Sequence, residues 1–331
     1  MIGRTLLNNP VLNRKTASSN KMSRTPIIDA TTTRKNEIAE ARLNLRLGVP
    51  VFSIVEISVV AACNRRCPFC PVSDDYYKQL GLSGVMKAPL YEKLLSDLRS
   101  VDYTGMILFS GESEPLLHKR LDRLIQKTKS TLPDCQIEVN SNGDLLTAHK
   151  LQQLFSAGLD AISISMYDGP HQIEQFSALR REAGLSEDQV LLRRRYYLDG
   201  NYGINMTNRG GLVDSDSFNY EQTPSKNNKK QKFPINQECY YPFYMLTVDV
   251  GGNVTICSHD WAKNYVVGNF SETHIFDIWT SRRFDAARLS LAKCDRSLPS
   301  CKNCNAIGDL IGSKSFKSWL NYYQHNKAPN I

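Results

Sequence analysis

From residue 49 onward, short runs of apolar and β-branched residues alternate with longer stretches in which apolar residues recur every three or four positions. Ser53–Val60, Met106–Ser110, Gln136–Ser141 and Ala161–Tyr167 predict strands, while Leu90–Leu98, Leu121–Thr131 and Thr147–Ala157 predict amphipathic helices. This alternation implies right-handed βαβ crossovers and a parallel sheet, open or curled into a barrel, with ligands at the carboxyl ends of the strands. Past residue 200 the pattern changes. Tyr244–Val250 and Asn253–Cys257, joined by Gly251 and Gly252, predict a hairpin that opens a smaller second module, and a single helix, Phe276–Leu291, leads to the last cysteines. The longest apolar run, Val49–Ala62, is interrupted by Ser53, Glu56 and Ser58 and falls short of the roughly 20 residues of a membrane-spanning helix, so it reads as a core strand.

The 331 residues give one large domain or two modest ones. A formal net charge of +8 raises the possibility of a nucleic-acid partner, but the surplus is localised. Residues 1–35 carry Arg4, Arg14, Lys15, Lys21, Arg24, Arg34 and Lys35 against Asp29, and Lys226, Lys229, Lys230 and Lys232 crowd a polar connector. The rest of the chain is close to neutral, a poor footprint for binding nucleic acid, so the two segments read as a solvated tail and a linker. The tail shows no secretory hydrophobic stretch, which implies a reduced, cytoplasmic setting. Its Arg, Ser and Thr content also suits an organelle transit peptide, although Pro10 and Pro26 favour plain disorder.

Nine cysteines, with Cys63, Cys67 and Cys70 inside eight residues, suggest metal ligation more than a disulfide framework. These three follow the first strand directly. Three thiolates on one loop can hold three irons of a [4Fe-4S] cubane and leave the fourth iron without a protein ligand. Structural zinc wants a fourth ligand, and the nearest histidine, His118, lies beyond the next strand. In the second module Cys239, Cys257, Cys301 and Cys304 form a complete four-thiolate set for zinc or for a cluster, and the residue chemistry does not choose between them. Cys294 reads as a bystander able to displace one ligand, and Cys135 as a small buried hydrophobe.

Cys63-Asn-Arg-Arg-Cys67-Pro-Phe-Cys70 resembles the hallmark loop of the radical S-adenosylmethionine (SAM) superfamily. The resemblance implies an α/β fold: a partial (β/α)6 TIM-like barrel with a small C-terminal α+β domain of the SPASM/twitch type. It implies a SAM-binding [4Fe-4S] cluster on Cys63, Cys67 and Cys70, with Phe69 against the adenine. Phe109-Ser-Gly-Glu-Ser-Glu-Pro115 resembles the family's glycine-rich loop, in which Gly111, Glu112 and Glu114 would serve the SAM amino group through carbonyls and a carboxylate; Ser113 departs from the usual glycine. Asn140-Ser-Asn-Gly143 and Ser163-Ile-Ser165 resemble the next strand ends, placing Asn142 and Ser165 toward the ribose, and Arg209 of Asn208-Arg-Gly-Gly211 would meet a carboxylate of SAM or substrate. The text around Cys257 resembles auxiliary-cluster modules, which implies a second [4Fe-4S] cluster on Cys239, Cys257, Cys301 and Cys304.

The implied organisation is a disordered or weakly ordered basic segment at 1–48, the barrel at 49–222, a basic linker at 223–235, the auxiliary domain at 236–310 and a helix or tail at 311–331. The implied activity is reductive cleavage of SAM to a 5′-deoxyadenosyl radical that abstracts hydrogen from a substrate C–H bond. A closed auxiliary site suits electron acceptance, hence a dehydrogenase-like oxidation of a sugar, aminocyclitol or nucleotide sugar. Peptide modification by crosslinking or epimerisation is the alternative, and a non-catalytic iron-sulfur or zinc protein is the reading from another class. A small-molecule substrate, an external one-electron reductant of flavodoxin or ferredoxin type, no nucleic acid and no membrane complete the expectation. No general base is assigned; Tyr167, Asp168, His171, Arg193 to Arg195 and Tyr202 are pocket candidates by position.

Overall fold

A computed structural model describes residues 30–41, 45–46, 48–73, 77, 79–198, 207–214, 232–306, 312 and 316–325. Tyr202 and the linker lysines 226, 229 and 230 lie outside the described residues. The chain runs through helix α1 (Ala30–Ala41), a short antiparallel ladder of β1 (Leu45–Arg46) and β2 (Val49–Pro50), and strand β3 (Ile54–Ile57). Four further units follow: α2 (Ala88–Ser100) and β4 (Met106–Phe109), α3 (Leu121–Thr131) and β5 (Gln136–Ser141), α4 (Ala148–Ser156) and β6 (Ala161–Met166), α5 (His171–Glu182) and β7 (Val190–Arg194). The remaining elements are α6 (Tyr241–Tyr244), β8 (Met245–Val248), β9 (Asn253–Thr255), β10 (Val266–Asn269), α7 (Ile275–Trp279), α8 (Arg282–Ala292) and α9 (Phe316–His325).

All the strands from β3 onward join one sheet in the order β10-β9-β8-β3-β4-β5-β6-β7, with β8 and β3 to β7 parallel. This is the α/β partial barrel the sequence implies. The expected hairpin forms between β8 and β9. The second module is nevertheless not a separate sheet, because β8 pairs along the whole of β3.

Register divides the sheet into two chemically different faces. Val55, Ile107 and Ile137 form one row, and Ile57, Phe109, Val139, Ile162 and Val190 the next, all buried. Helices cover this face: the ring of Tyr91 from α2 stacks with Phe109, and a side chain at Gly143 would strike both Ile164 and Phe176 of α5. Because strand side chains alternate, the opposite face carries Thr247, Glu56, Leu108, Glu138 and Ala161 in one row, then Asn140 beside Ser163. One side of the sheet is thus a hydrocarbon core and the other a polar interior.

Three expectations change. Helix α1 lies within the segment expected to be disordered; its Ala39 is fully buried, and Arg34 donates to the buried Glu138 from Nε and Nη2 at 3.0 and 2.9 Å. The expected single helix Phe276–Leu291 is two, because the Ser281 hydroxyl accepts from Phe284 N–H at 3.2 Å and starts a new helix. Finally, α5 and β7 form where periodicity gives little signal: α5 buries only Gln172 and Phe176, and β7 is an edge strand bearing Arg193 and Arg194.

Candidate active site and second thiol site

Strand β3 ends at Ile57, and the chain then carries Cys63, Cys67 and Cys70 across the carboxyl end of the sheet. Burial raises all three thiols, Cys67 to about 12, with the neighbouring Cys70 and Cys63 adding to the effect at Cys67. The three sulfurs therefore share one environment, and none is fully covered.

The loop is fastened to the ends of β5 and β6 by Arg65. Its Nε and Nη2 donate to Asp144 at 2.7 and 2.5 Å, and Nη1 and Nη2 donate to Asp168 at 2.7 Å each. These bonds hold Asp168 below the usual carboxylate range. Asn64 adds a bond to Asp144 at 2.8 Å and accepts one from Asn142, whose amide also stands 3.9 Å from the Cys63 sulfur. Phe69 packs its ring on Tyr167, with centroids 5.8 Å apart, and Ser165 hydrogen-bonds Tyr167. Arg193 shares the face and register of Ser165, whereas His171 is exposed at the start of α5.

The loop after β4 is shaped from within. Gly111 takes φ +84°, and a side chain there would lie 2.5 Å from Ser58 Oγ, which accepts from Glu112 N–H at 3.0 Å. The two carboxylates expected to receive the SAM ammonium already accept hydrogen bonds within the protein, and each retains acceptor capacity on its two oxygens. Glu114 accepts from Leu116 N–H (3.1 Å), Ser141 Oγ (2.8 Å) and Asn142 N–H (2.8 Å). Glu112 accepts from Tyr77 OH at 2.8 Å and Lys263 Nζ at 2.5 Å. Burial raises both carboxyls. These bonds also fix the shape of the loop.

Below this rim, the polar face of the sheet holds buried atoms with no partner among the described residues: Glu56 Oε2, Thr247 Oγ1, Glu138 Oε2, Asn140 Oδ1 and Ser163 Oγ. Buried polar atoms ordinarily find a partner, so this face suits a hydroxyl-rich guest or water.

Cys239, Cys257, Cys301 and Cys304 line a single cavity together with His259, Ser300 and Arg296, whereas Cys294 is not part of its wall. Burial raises Cys257, Cys301 and Cys304, and the other thiols of the set raise Cys257 further. The Arg296 guanidinium, 2% exposed, spends its N–H groups on the carbonyls of Gln237, Ala306 and Glu238. Asn208 fastens its segment to the second site: Nδ2 donates to Asn303 O at 2.6 Å, and its backbone N–H donates to Asn305 Oδ1 at 2.8 Å. Arg209, at φ +49°, stands where its charge favours the thiolates of both Cys70 and Cys304. It lies between the two thiol sets.

The donor sets suit clusters. Among the described residues no group of three or more His, Cys, Asp or Glu is arranged to hold a single ion. Cys239, Cys257, Cys301 and Cys304 instead line one cavity, as a cubane requires when each thiolate takes its own iron. Sequence reasoning missed Arg65, Asp144, Lys263, His259 and Ser300: Arg65, His259 and Ser300 sit beside thiol ligands in the chain without a spacing that marks them, and Asp144 and Lys263 reach their partners Arg65 and Glu112 only through the fold.

Comparison with known proteins agrees with this geometry. The radical SAM superfamily matches residues 57–191, and the SPASM iron-sulfur cluster-binding domain matches residues 239–305. The chain is 32% identical over 259 residues to an S-adenosyl-L-methionine-dependent 2-deoxy-scyllo-inosamine dehydrogenase of Niallia circulans, covering 78% of this chain and 94% of that protein. A tungsten-containing aldehyde ferredoxin oxidoreductase cofactor-modifying protein of Pyrococcus furiosus is 30% identical over 170 residues, covering 51% of this chain and 45% of the relative. The crystal structure of BtrN in complex with AdoMet and 2-DOIA superposes with a TM-score of 0.65 at 29% identity, covering 81% of this chain and 98% of that one.

The chain belongs to the radical SAM superfamily and carries a SPASM-type auxiliary module. It is a radical SAM enzyme that uses SAM and [4Fe-4S] clusters. Among the described residues no helix is long and apolar enough to cross a membrane.

Proposed function

We propose that the enzyme oxidises a secondary alcohol of a small polar molecule, in the class of sugars, aminocyclitols and nucleotide sugars, to the carbonyl. The observation that carries this reading is the closed wall of the second site, four thiols on one buried cavity. With every iron protein-ligated, a cluster there has no vertex for substrate and is left to accept an electron. Cys63, Cys67 and Cys70 would hold the first cluster, and Cys239, Cys257, Cys301 and Cys304 the second. Loaded, the first site would supply a 5′-deoxyadenosyl radical to take one hydrogen atom from the carbinol carbon, and the second would take up the one electron that, with loss of one proton to solvent, leaves the carbonyl.

The protein's own residues position these partners. Arg65 clamps the cluster loop to β5 and β6, and the carbonyls of the Gly111 loop face the SAM amino group. Asn142, Ser165 and Phe69 border the nucleoside, and Arg209 meets a carboxylate of SAM or substrate. The unpartnered oxygens on Glu56, Thr247, Asn140 and Ser163 suit a polyhydroxylated guest, and the relative that this chain covers over 94% of its length is named for oxidising a cyclitol amine. A barrel at 49–222, an auxiliary domain at 236–310, a cytoplasmic setting and an external flavodoxin or ferredoxin reductant complete the proposal.

The test is anaerobic reconstitution, followed by screening of aminocyclitols, sugars and nucleotide sugars with dithionite and SAM. The expected result is accelerated 5′-deoxyadenosine release together with a ketone product. Acceleration by peptides alone would replace this reading with that of a maturase.

A further inference from the structure

We propose that His259 and Ser300 donate hydrogen bonds to the iron-sulfur cluster of the second site and raise its reduction potential. This rests on the reading that Cys239, Cys257, Cys301 and Cys304 hold such a cluster. Both residues are 5% exposed, both line the thiol cavity, and His259 Nδ1 and Ser300 Oγ have no partner among the described residues.

The two residues reach the cavity from different segments, His259 two positions after Cys257 and Ser300 immediately before Cys301. The imidazole is held in place: its centroid lies 4.9 Å from that of the Tyr241 ring, and its backbone oxygen packs where a side chain at Gly210 would lie, at 2.7 Å. Several other donors at the cavity are engaged: Arg296 gives three of its N–H groups to carbonyls, while Gly210 and Ala306 N–H bond the Cys304 sulfur. His259 and Ser300 bring their unpartnered Nδ1 and Oγ to the wall that the four thiols share.

Buried donors without partners are rare in folded proteins. Reduction adds negative charge to a cluster, and a hydrogen bond to a charged acceptor stabilises the more negative state more. Donors at this position therefore make the second site a better electron acceptor, the property that a two-electron oxidation needs.

The experiment uses the full chain with Cys63→Ala, Cys67→Ala and Cys70→Ala, so that only the second site binds iron, and reads the midpoint potential by EPR-monitored redox titration. His259→Phe and Ser300→Ala should each lower the potential, by about 59 mV for a tenfold change in the one-electron equilibrium. His259→Gln, which keeps an N–H donor, should recover part of the shift. Ser300→Ala removes a single oxygen and carries the test alone if the ring substitution loses iron. Variants that keep about four irons and titrate at the parent potential overturn the proposal. A parent that binds zinc or no iron overturns the reading beneath it.

Discussion

The two thiol sites solve opposite problems. The first takes its three cysteines from one loop of eight residues and leaves each of them partly accessible. The second gathers four from residues 239 to 304, with Cys239, Cys301 and Cys304 buried. A local, half-open loop can admit a cofactor but contributes little to holding the fold together. A closed site assembled from distant segments excludes ligands and, once loaded, cross-links the chain that builds it. Chemistry and architecture are divided between the two.

The division is broken most directly at the cysteines. Cys67→Ala should reduce 5′-deoxyadenosine release to background, whereas Cys301→Ala should keep uncoupled SAM cleavage and lose oxidised product; equal loss of both readouts would erase the distinction. Stability should rank the other way. Cys257→Ala should lower the anaerobic melting temperature by at least about 5 °C more than Cys63→Ala, and scanning calorimetry of the loaded variants would show it.

A smaller effect tests the contact between the two regions. Lys263, from the auxiliary side, pairs with the buried Glu112 beside the first site. Lys263→Met leaves that carboxylate with Tyr77 alone and should cost about 3 kcal/mol. Burial already raises the Glu112 carboxyl, so the folded state holds the proton more tightly than the unfolded chain does. Stability from this group is present at low pH and falls as pH rises through the raised value. The Lys263→Met deficit should therefore be larger at pH 8 than at pH 5 in urea titrations. The smallest effect belongs to Asp168, 49% exposed beside Arg65: Asp168→Asn should cost less than about 1 kcal/mol, because Asp144 keeps the clamp.

The strands β3 to β6 and the helices between them were legible because burial of one sheet face imposes regular apolar spacing. The cysteine loops were legible because thiol ligands need fixed short intervals. What escaped notice depends on distance in space. Arg65 sits inside the motif, yet its partners Asp144 and Asp168 are about eighty and a hundred residues away. Glu114 was legible as a candidate cofactor ligand because its loop matches that pattern, whereas two of its three donors, Ser141 and Asn142, come from the end of β5, which only folding brings near. The single helix expected through residue 280 failed for a local reason, a serine cap hidden within an otherwise continuous apolar period.

The bond between Arg34 and Glu138 has a practical consequence for anyone trimming this gene. Glu138 is wholly buried in the central sheet, and its counter-ion, Arg34 of helix α1, lies more than twenty residues before the recognisable catalytic region. An expression clone begun at the first matched residue would strand an anion in the protein's interior. A fragment that keeps this pair therefore includes the helix from Ala30, well before homology would advise cutting.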